Sequence, residues 1–218
     1  MSEYRSDPVR SYHVEIIPPK QDSEKLETDL KQFAAKLERV MDSGFTASIT
    51  DNAMGLLAFQ GPECIEELNL SIRPEQILIH LNTFHTKKNL EEILTACQRL
   101  GIRSLLAISG DGSTRLPKLH PADIEADGVL SVTSVELIRY IKKYYPDFTV
   151  GVAFNPYEPE EHEFEKLGRK LAAGASFVIT QPIIEKNPLV DRLLREHPSL
   201  PVTIEAWMSK KLYLLSAG

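Results

Sequence analysis

The chain has 218 residues, and 31 Asp and Glu against 25 Lys and Arg set its formal charge at −6. With 42% hydrophobic and 26% charged residues, and only 11 glycines and 14 prolines, it reads as a globular chain able to build a sizeable core, which excludes disordered, collagenous and membrane-spanning classes. Mild acidity and the lack of any cluster of five or more Lys and Arg give no field to draw in a polyanion, so nucleic acid is not an expected partner.

Cys64 and Cys97 are too few for a disulfide scaffold and read as free thiols in a reduced compartment. The polar start, MSEYRSDPVR, leads into no apolar stretch of seven or more, so neither a secretion signal nor a spanning helix is expected and the cytoplasm is the expected location.

In chain order, HVEII at 13–17 predicts a strand, and the amphipathic stretch 23–41, closed by Gly44, predicts a helix. FTASIT at 45–50 and QILIHLN at 76–82 predict the next two strands, followed by a helix over 88–100 closed by Gly101. A fourth strand, SLLAIS at 104–109, precedes a long polar stretch at 113–128, a candidate lid or binding loop. Helices over 134–144 and 160–173, the latter closed by Gly174, alternate with strands at 148–154, 176–181 and 202–207. Such alternation predicts a parallel sheet within one domain spanning 1–218.

The polar residues choose between sheet types. Glu15, Thr50, His80, Asp111, Asn155, Gln181 and Glu205 fall at or just beyond the ends of seven different strands, the distribution of a (βα)8 barrel. An open doubly wound sheet would gather its chemistry at one switch point behind a glycine-rich first turn, and the first turn here, IIPPK, has no glycine. A TIM-type barrel is the expected fold, with its C-terminal end incomplete.

Glu15 is the most informative residue. Period-2 alternation sets Val14 and Ile16 on one strand face and His13, Glu15 and Ile17 on the other, so Glu15 points into the barrel if the first set faces the helices. A carboxylate there, beside Ile16, Ile17, Pro18 and Pro19, would be partly desolvated, with a raised pKa suited to a general acid. The alternative is an edge-strand Glu in solvent or in a salt bridge. Glu205 is a candidate second inward carboxylate, which leaves a two-carboxylate glycosidase open.

The SGDGST turn at 109–114 brings Ser109, Gly110 and Asp111 directly after a strand, where glycines let backbone N–H groups approach a phosphate or a flat ring. It lacks the Lys and spacing of a phosphate-binding P-loop, so nucleotide hydrolysis is not expected. His80, His85 and His120 have no recognised ligand spacing, and no metal is expected. Neither GxSxG nor CxxC occurs, and the lone Trp207 reads as a core residue of the last strand.

Taken together, VEIIPPK at 14–20, ILIHLNT at 77–83, LLAISGDG at 105–112, GVAFNP at 151–156 and RKLAAGASFVITQP at 169–182 resemble the methylenetetrahydrofolate reductase family. The last block is the most specific. The resemblance implies a (βα)8 barrel that binds FAD and passes a hydride from NADH or NADPH to 5,10-methylenetetrahydrofolate, giving 5-methyltetrahydrofolate. It implies that Glu15 is the general acid that protonates a folate nitrogen as the five-membered ring opens. It further implies that Asp111 contacts the pterin and tunes the flavin, that Gln181 hydrogen-bonds the pterin, and that Thr50, His80 and Lys170 contact the flavin.

There are departures from the family pattern. Ser109 stands where the family commonly has Arg before Gly-Asp, and Asn155 stands where an aromatic precedes proline. A family tyrosine falls at Val132, and the family's His-Pro-Glu becomes EPEEH at 158–162. These changes leave two alternatives to the FAD enzyme: a flavin-free reductase with direct transfer from the nicotinamide, and a non-catalytic folate-binding partner subunit. Beyond 207 only MSKKLYLLSAG remains, so the expectation is either a degenerate last strand at LYLL, a barrel completed by another chain, or a fragment of something longer. Apolar edges of an open barrel predict a homo-oligomer or a partner subunit.

Overall fold

The computed structural model describes residues 12–206. Seven strands run in the order β1 (His13–Ile16), β2 (Thr46–Ile49), β3 (Ile77–Leu81), β4 (Ser104–Ala107), β5 (Thr149–Phe154), β6 (Phe177–Thr180) and β7 (Val202–Thr203). Each pairs in parallel with the next, so spatial order equals chain order. That succession of parallel neighbours curls the sheet, and residues from β1 through the end of β7 line a single cavity. The fold is therefore an α/β half-barrel of seven parallel strands. An eighth strand does not occur among the described residues, and Trp207 and the LYLL run lie outside them.

The crossover helices are α1 (Leu26–Asp42), α2 (Gly61–Glu67), α3 (Lys87–Arg99), α4 (Ser134–Tyr144), α5 (Glu160–Ala172) and α6 (Pro188–Glu196). Four match the amphipathic stretches of the sequence to within three residues. The other two, α2 and α6, had no sequence expectation, although both carry good starts. Gln60 and Glu63 form a reciprocal capping box ahead of Pro62 in α2, and the Asn187 side chain accepts the Leu189 and Val190 N–H groups in α6.

Strands β2, β4 and β6 are buried on both faces, as covered parallel sheets require. Their outward residues, with Ile16, Ile79, Val150 and Val152, pack on Phe33, Leu37, Leu94, Leu137, Ile141 and Leu167 of the helices. Inside the curl a smaller cluster of Leu78, Leu106, Phe177 and Ile179 plugs the barrel. Gly151 makes room for that plug, because a Cβ there would lie 2.1 Å from the Phe177 ring. Cys64 and Cys97 are free and buried, and burial pushes both thiols up to about 12. Among the described residues no helix is long and apolar enough to cross a membrane.

Candidate active site

Above the plug opens a cavity of about 1580 Å³ at the C-terminal mouth of the strands, larger than the roughly 300–1,000 Å³ of an ordinary ligand pocket. Its wall follows the period-2 rule strand by strand. His13 and Glu15 face it from β1, Ser48 and Thr50 from β2 and its end, His80 from β3, Asn155 from the end of β5, Gln181 from the end of β6 and Glu205 from beyond β7. Ser109, Gly110 and Asp111 border it after β4, and Lys170 reaches it from α5. The structure thus gathers Glu15, Thr50, His80, Ser109, Gly110, Asp111, Asn155, Lys170, Gln181 and Glu205 on one surface, and leaves His85 and His120 off it.

Glu15 pairs in register with Ser48, and its carboxyl is open to the cavity rather than sunk among Ile17 and the prolines, since Ile17 is itself exposed. Enough protein still surrounds the group for burial to raise its pKa above the usual carboxylate value. Glu205 sits on a clamped backbone: its N–H donates to Thr180 Oγ1 at 3.0 Å and its carbonyl accepts the Ile183 N–H at 2.9 Å. Burial, reinforced by the charge of Glu15, pushes the Glu205 carboxyl up to about 7. His80 shares a 2.7 Å hydrogen bond between Nε2 and Ser48 Oγ, and burial pushes it down to about 4 against the pull of Asp51, so it is neutral at physiological pH.

The opposite wall is built differently. Glu163 of α5, almost wholly buried, accepts the Asn155 N–H at 2.9 Å, pairs with Lys166 at 2.7 Å and lies 4.0 Å from Lys170 Nζ. Lys170 also donates to the Ala153 carbonyl at 2.7 Å, and burial lowers its pKa despite Glu163. Arg139 and Arg169 border the same side, 3.7 Å from Glu136 and 4.0 Å from Glu165.

Loops after β2, β3 and β4 are stitched together beneath the mouth. Buried Asp51 accepts the Asn82 N–H and faces His85 Nε2, both at 2.7 Å, while its own carbonyl accepts from the Asn82 amide. Asp111 accepts the Met54 N–H at 3.1 Å, tying its loop to the β2 loop. Gly110 has φ +79° and abuts Asn82, where a Cβ would lie 2.7 Å away, so only glycine fits this turn. The Asp51, Asn82 and His85 network escaped the sequence reading because it joins residues about thirty positions apart. Glu163 was hidden in an acidic run that looks like ordinary first-turn charge.

One further expectation is corrected. The 113–128 stretch is not on the cavity: Leu116, Leu119 and Ile124 bury against the barrel, the Leu119 N–H donates to the Thr83 carbonyl, and the rim is supplied by Val129, Leu130 and Ser131. Val132 belongs to the core. His120 caps a short 3-10 helix, and no group of three metal-ligating side chains occurs among the described residues.

A bound flavin is compatible with this wall in three respects. The cavity is large at about 1580 Å³, cations stand on the α4 and α5 side, and buried Thr50 Oγ1 has no hydrogen-bond partner among the described residues. At the two departures, the Ser109 carbonyl accepts from Thr83 Oγ1, and Asn155 Oδ1 accepts the Tyr157 N–H.

A parallel half-barrel with polar side chains gathered at its C-terminal mouth defines an α/β protein of the barrel class. The Methylenetetrahydrofolate reductase family matches residues 4–195, and the chain belongs to that family. Among solved structures it is similar to a Clostridium thermocellum protein described as binding two copies of 5-methyl-5,6,7,8-tetrahydrofolic acid. That likeness has 14% identity and a TM-score of 0.58, covering 89% of this chain and 65% of that one. An aldolase matches at 13% identity and a TM-score of 0.51, covering 93% of this chain and 81% of its own. The chain thus spans less than two thirds of the Clostridium protein, and likenesses at this level of identity speak to fold alone.

Proposed function

We propose that this chain is a folate-dependent oxidoreductase that reduces 5,10-methylenetetrahydrofolate to 5-methyltetrahydrofolate, with Glu15 as general acid. The observation that carries the reading is the meeting of Glu15, Asp111 and Gln181, which are 96 and 70 positions apart, on one cavity of a chain in this family. The folate bound by the Clostridium thermocellum protein supports the ligand class.

In this reading Glu15, whose pKa burial raises, gives a proton to the folate nitrogen as the ring opens, leaving an iminium carbon to accept hydride. Asp111 and Gln181, both exposed on the cavity, orient the pterin through its hydrogen-bonding edge. Thr50, His80, Ser109, Gly110, Asp111, Asn155 and Lys170 would hold FAD, which when bound relays hydride from NADH or NADPH. Neutral His80 and the unpartnered Thr50 hydroxyl supply polar contacts without a second charge. Exposed Val14, Ile17 and Ile204 at the two sheet edges support assembly with a second copy or a partner subunit.

The visible spectrum tests the reading: purified protein incubated with FAD and desalted should keep flavin bands that bleach with NADH and recover with methylenetetrahydrofolate. A second reading, direct hydride transfer without flavin, is favoured by Asn155, whose side-chain oxygen is taken by the Tyr157 N–H of its own loop. It requires a colourless protein that still oxidises NADH when the folate is added. A colourless and inactive protein would contradict both.

A further inference from the structure

A second cavity, of about 360 Å³, lies between α2 and α3 and falls within the roughly 300–1,000 Å³ of small-molecule pockets. Among the described residues its wall and that of the larger cavity have only Asn52 in common. The floor is apolar: Ile93 and Ala96, one turn apart on α3, line it with Leu57 of the β2 loop and Leu116 of the 113–128 stretch. His85, almost wholly buried, lines it too. An ionised carboxylate only accepts, so the 2.7 Å contact with Asp51 Oδ2 makes His85 Nε2 the donor. In the neutral ring Nδ1 is then an acceptor, and among the described residues it has no hydrogen-bond partner. The α2 wall is acidic. Glu63 and Glu67, at i and i+4, both line the cavity and have no ion pair among the described residues, although like charges at that spacing repel. The other charges nearby are engaged: Arg99 holds Glu66 at 3.0 and 2.7 Å, Lys88 lies 3.6 Å from Glu92, and Lys118 stands 5.3 Å from the centre of the Phe84 ring.

We infer that this second cavity binds a small organic cation, a protonated amine on an apolar body. The floor of Leu57, Ile93, Ala96 and Leu116 receives the body. An ammonium group carries three N–H donors and no acceptor, which suits a wall offering the His85 lone pair and two carboxylates without a counter-charge. An anionic ligand would meet the same two carboxylates and be repelled. A metal ion is the poorer fit, since no group of three ligating side chains occurs among the described residues. The wall is also held in shape by its own bonds. Asp51, on the wall of the larger cavity, accepts from His85, from the Asn82 N–H at 2.7 Å and from the Gln60 amide at 3.3 Å, and Gln60 caps the helix that carries Glu63 and Glu67. These bonds fix the β2 loop, the β3 loop and α2 against one another, so little ordering is left for a ligand to impose.

The site is independent of the reductase reading and is tested without folate. Benzylamine, added at neutral pH to the full-length protein with 13C-labelled isoleucine methyls and 15N-labelled histidine, should shift the Ile93 methyl and the His85 ring along one saturable curve. Benzyl alcohol, which has the same ring and no charge, should bind about tenfold more weakly or worse, and benzoate should leave both signals in place. Glu63→Gln together with Glu67→Gln removes the charge while a glutamine at the third helical position can still close the capping box. This pair should weaken benzylamine about tenfold without lowering the melting temperature. Ala96→Leu, which fills the floor, should abolish the saturable shifts. An Ile93 methyl that does not move, equal affinity for the amine and the alcohol, or benzylamine binding unchanged by either variant would overturn the inference.

Discussion

The two flanks of the cavity use the same residue type to opposite ends. On the α5 side Glu163 is nearly inaccessible, yet it is matched by Lys166, approached by Lys170 and hydrogen-bonded to the Asn155 N–H, so it serves as a structural ion pair. Beside the first and last strands Glu15 and Glu205 are more accessible and have no cation partner among the described residues, and burial raises their pKa values. Partners, more than depth, decide which carboxylate is free to hold and release a proton.

Breaking the paired flank should have the largest effect on stability. Glu163→Gln leaves Lys166 and buried Lys170 without their carboxylate and should cost about 3–5 kcal/mol in denaturant unfolding. A loss near zero would mean that the α5 charges are solvated and that the contrast between flanks is only apparent. Gly110→Ala forces a Cβ against Asn82 at a left-handed φ and should cost about 2 kcal/mol, read in the same experiment.

Effects on the open flank should be smaller in stability and larger in chemistry. Gln181→Ala should weaken binding of 5-methyltetrahydrofolate roughly tenfold, the value of one or two hydrogen bonds, with the melting temperature unchanged. The last prediction concerns sign. Because the folded Glu205 value, about 7, lies above the unfolded one, the folded state binds the extra proton between pH 4.5 and 7, and unfolding free energy falls as pH rises through that window. Glu205→Gln should flatten this decline and stabilise the protein slightly above pH 7. His80 has the opposite sign: its folded value near 4 makes stability fall as pH drops from 6.5 toward 4, so a His80→Asn background should expose the glutamate effect more clearly.

Much of this contrast is written locally. Glu15 was legible as an inward residue because a strand alternates its faces, and the same rule places His80, Asn155 and Gln181 on the cavity. The inner strands were legible because burial on both faces demands continuous apolar runs such as ILIHL and SLLA. Helix α2 was not, since GPECIEE opens on Gly-Pro, which reads as a turn until the capping box of Gln60 and Glu63 is seen. Nor were the Asp51 to His85 contact or the pairing of Glu163 with Lys170, because they depend on which loops and helix turns the barrel brings together. The 113–128 stretch misled for a similar reason: its polar composition conceals Leu116, Leu119 and Ile124, which anchor it away from the mouth.

The most direct measurement is a comparison of the wild type with Glu15→Gln, following methylenetetrahydrofolate-dependent turnover and 5-methyltetrahydrofolate affinity in the same preparations. Loss of a proton donor should lower turnover by about 10²–10⁴-fold while the affinity changes little. Equal turnover in the two proteins, or no folate binding by the wild type, would contradict the assignment of this cavity as a folate-reducing site served by Glu15.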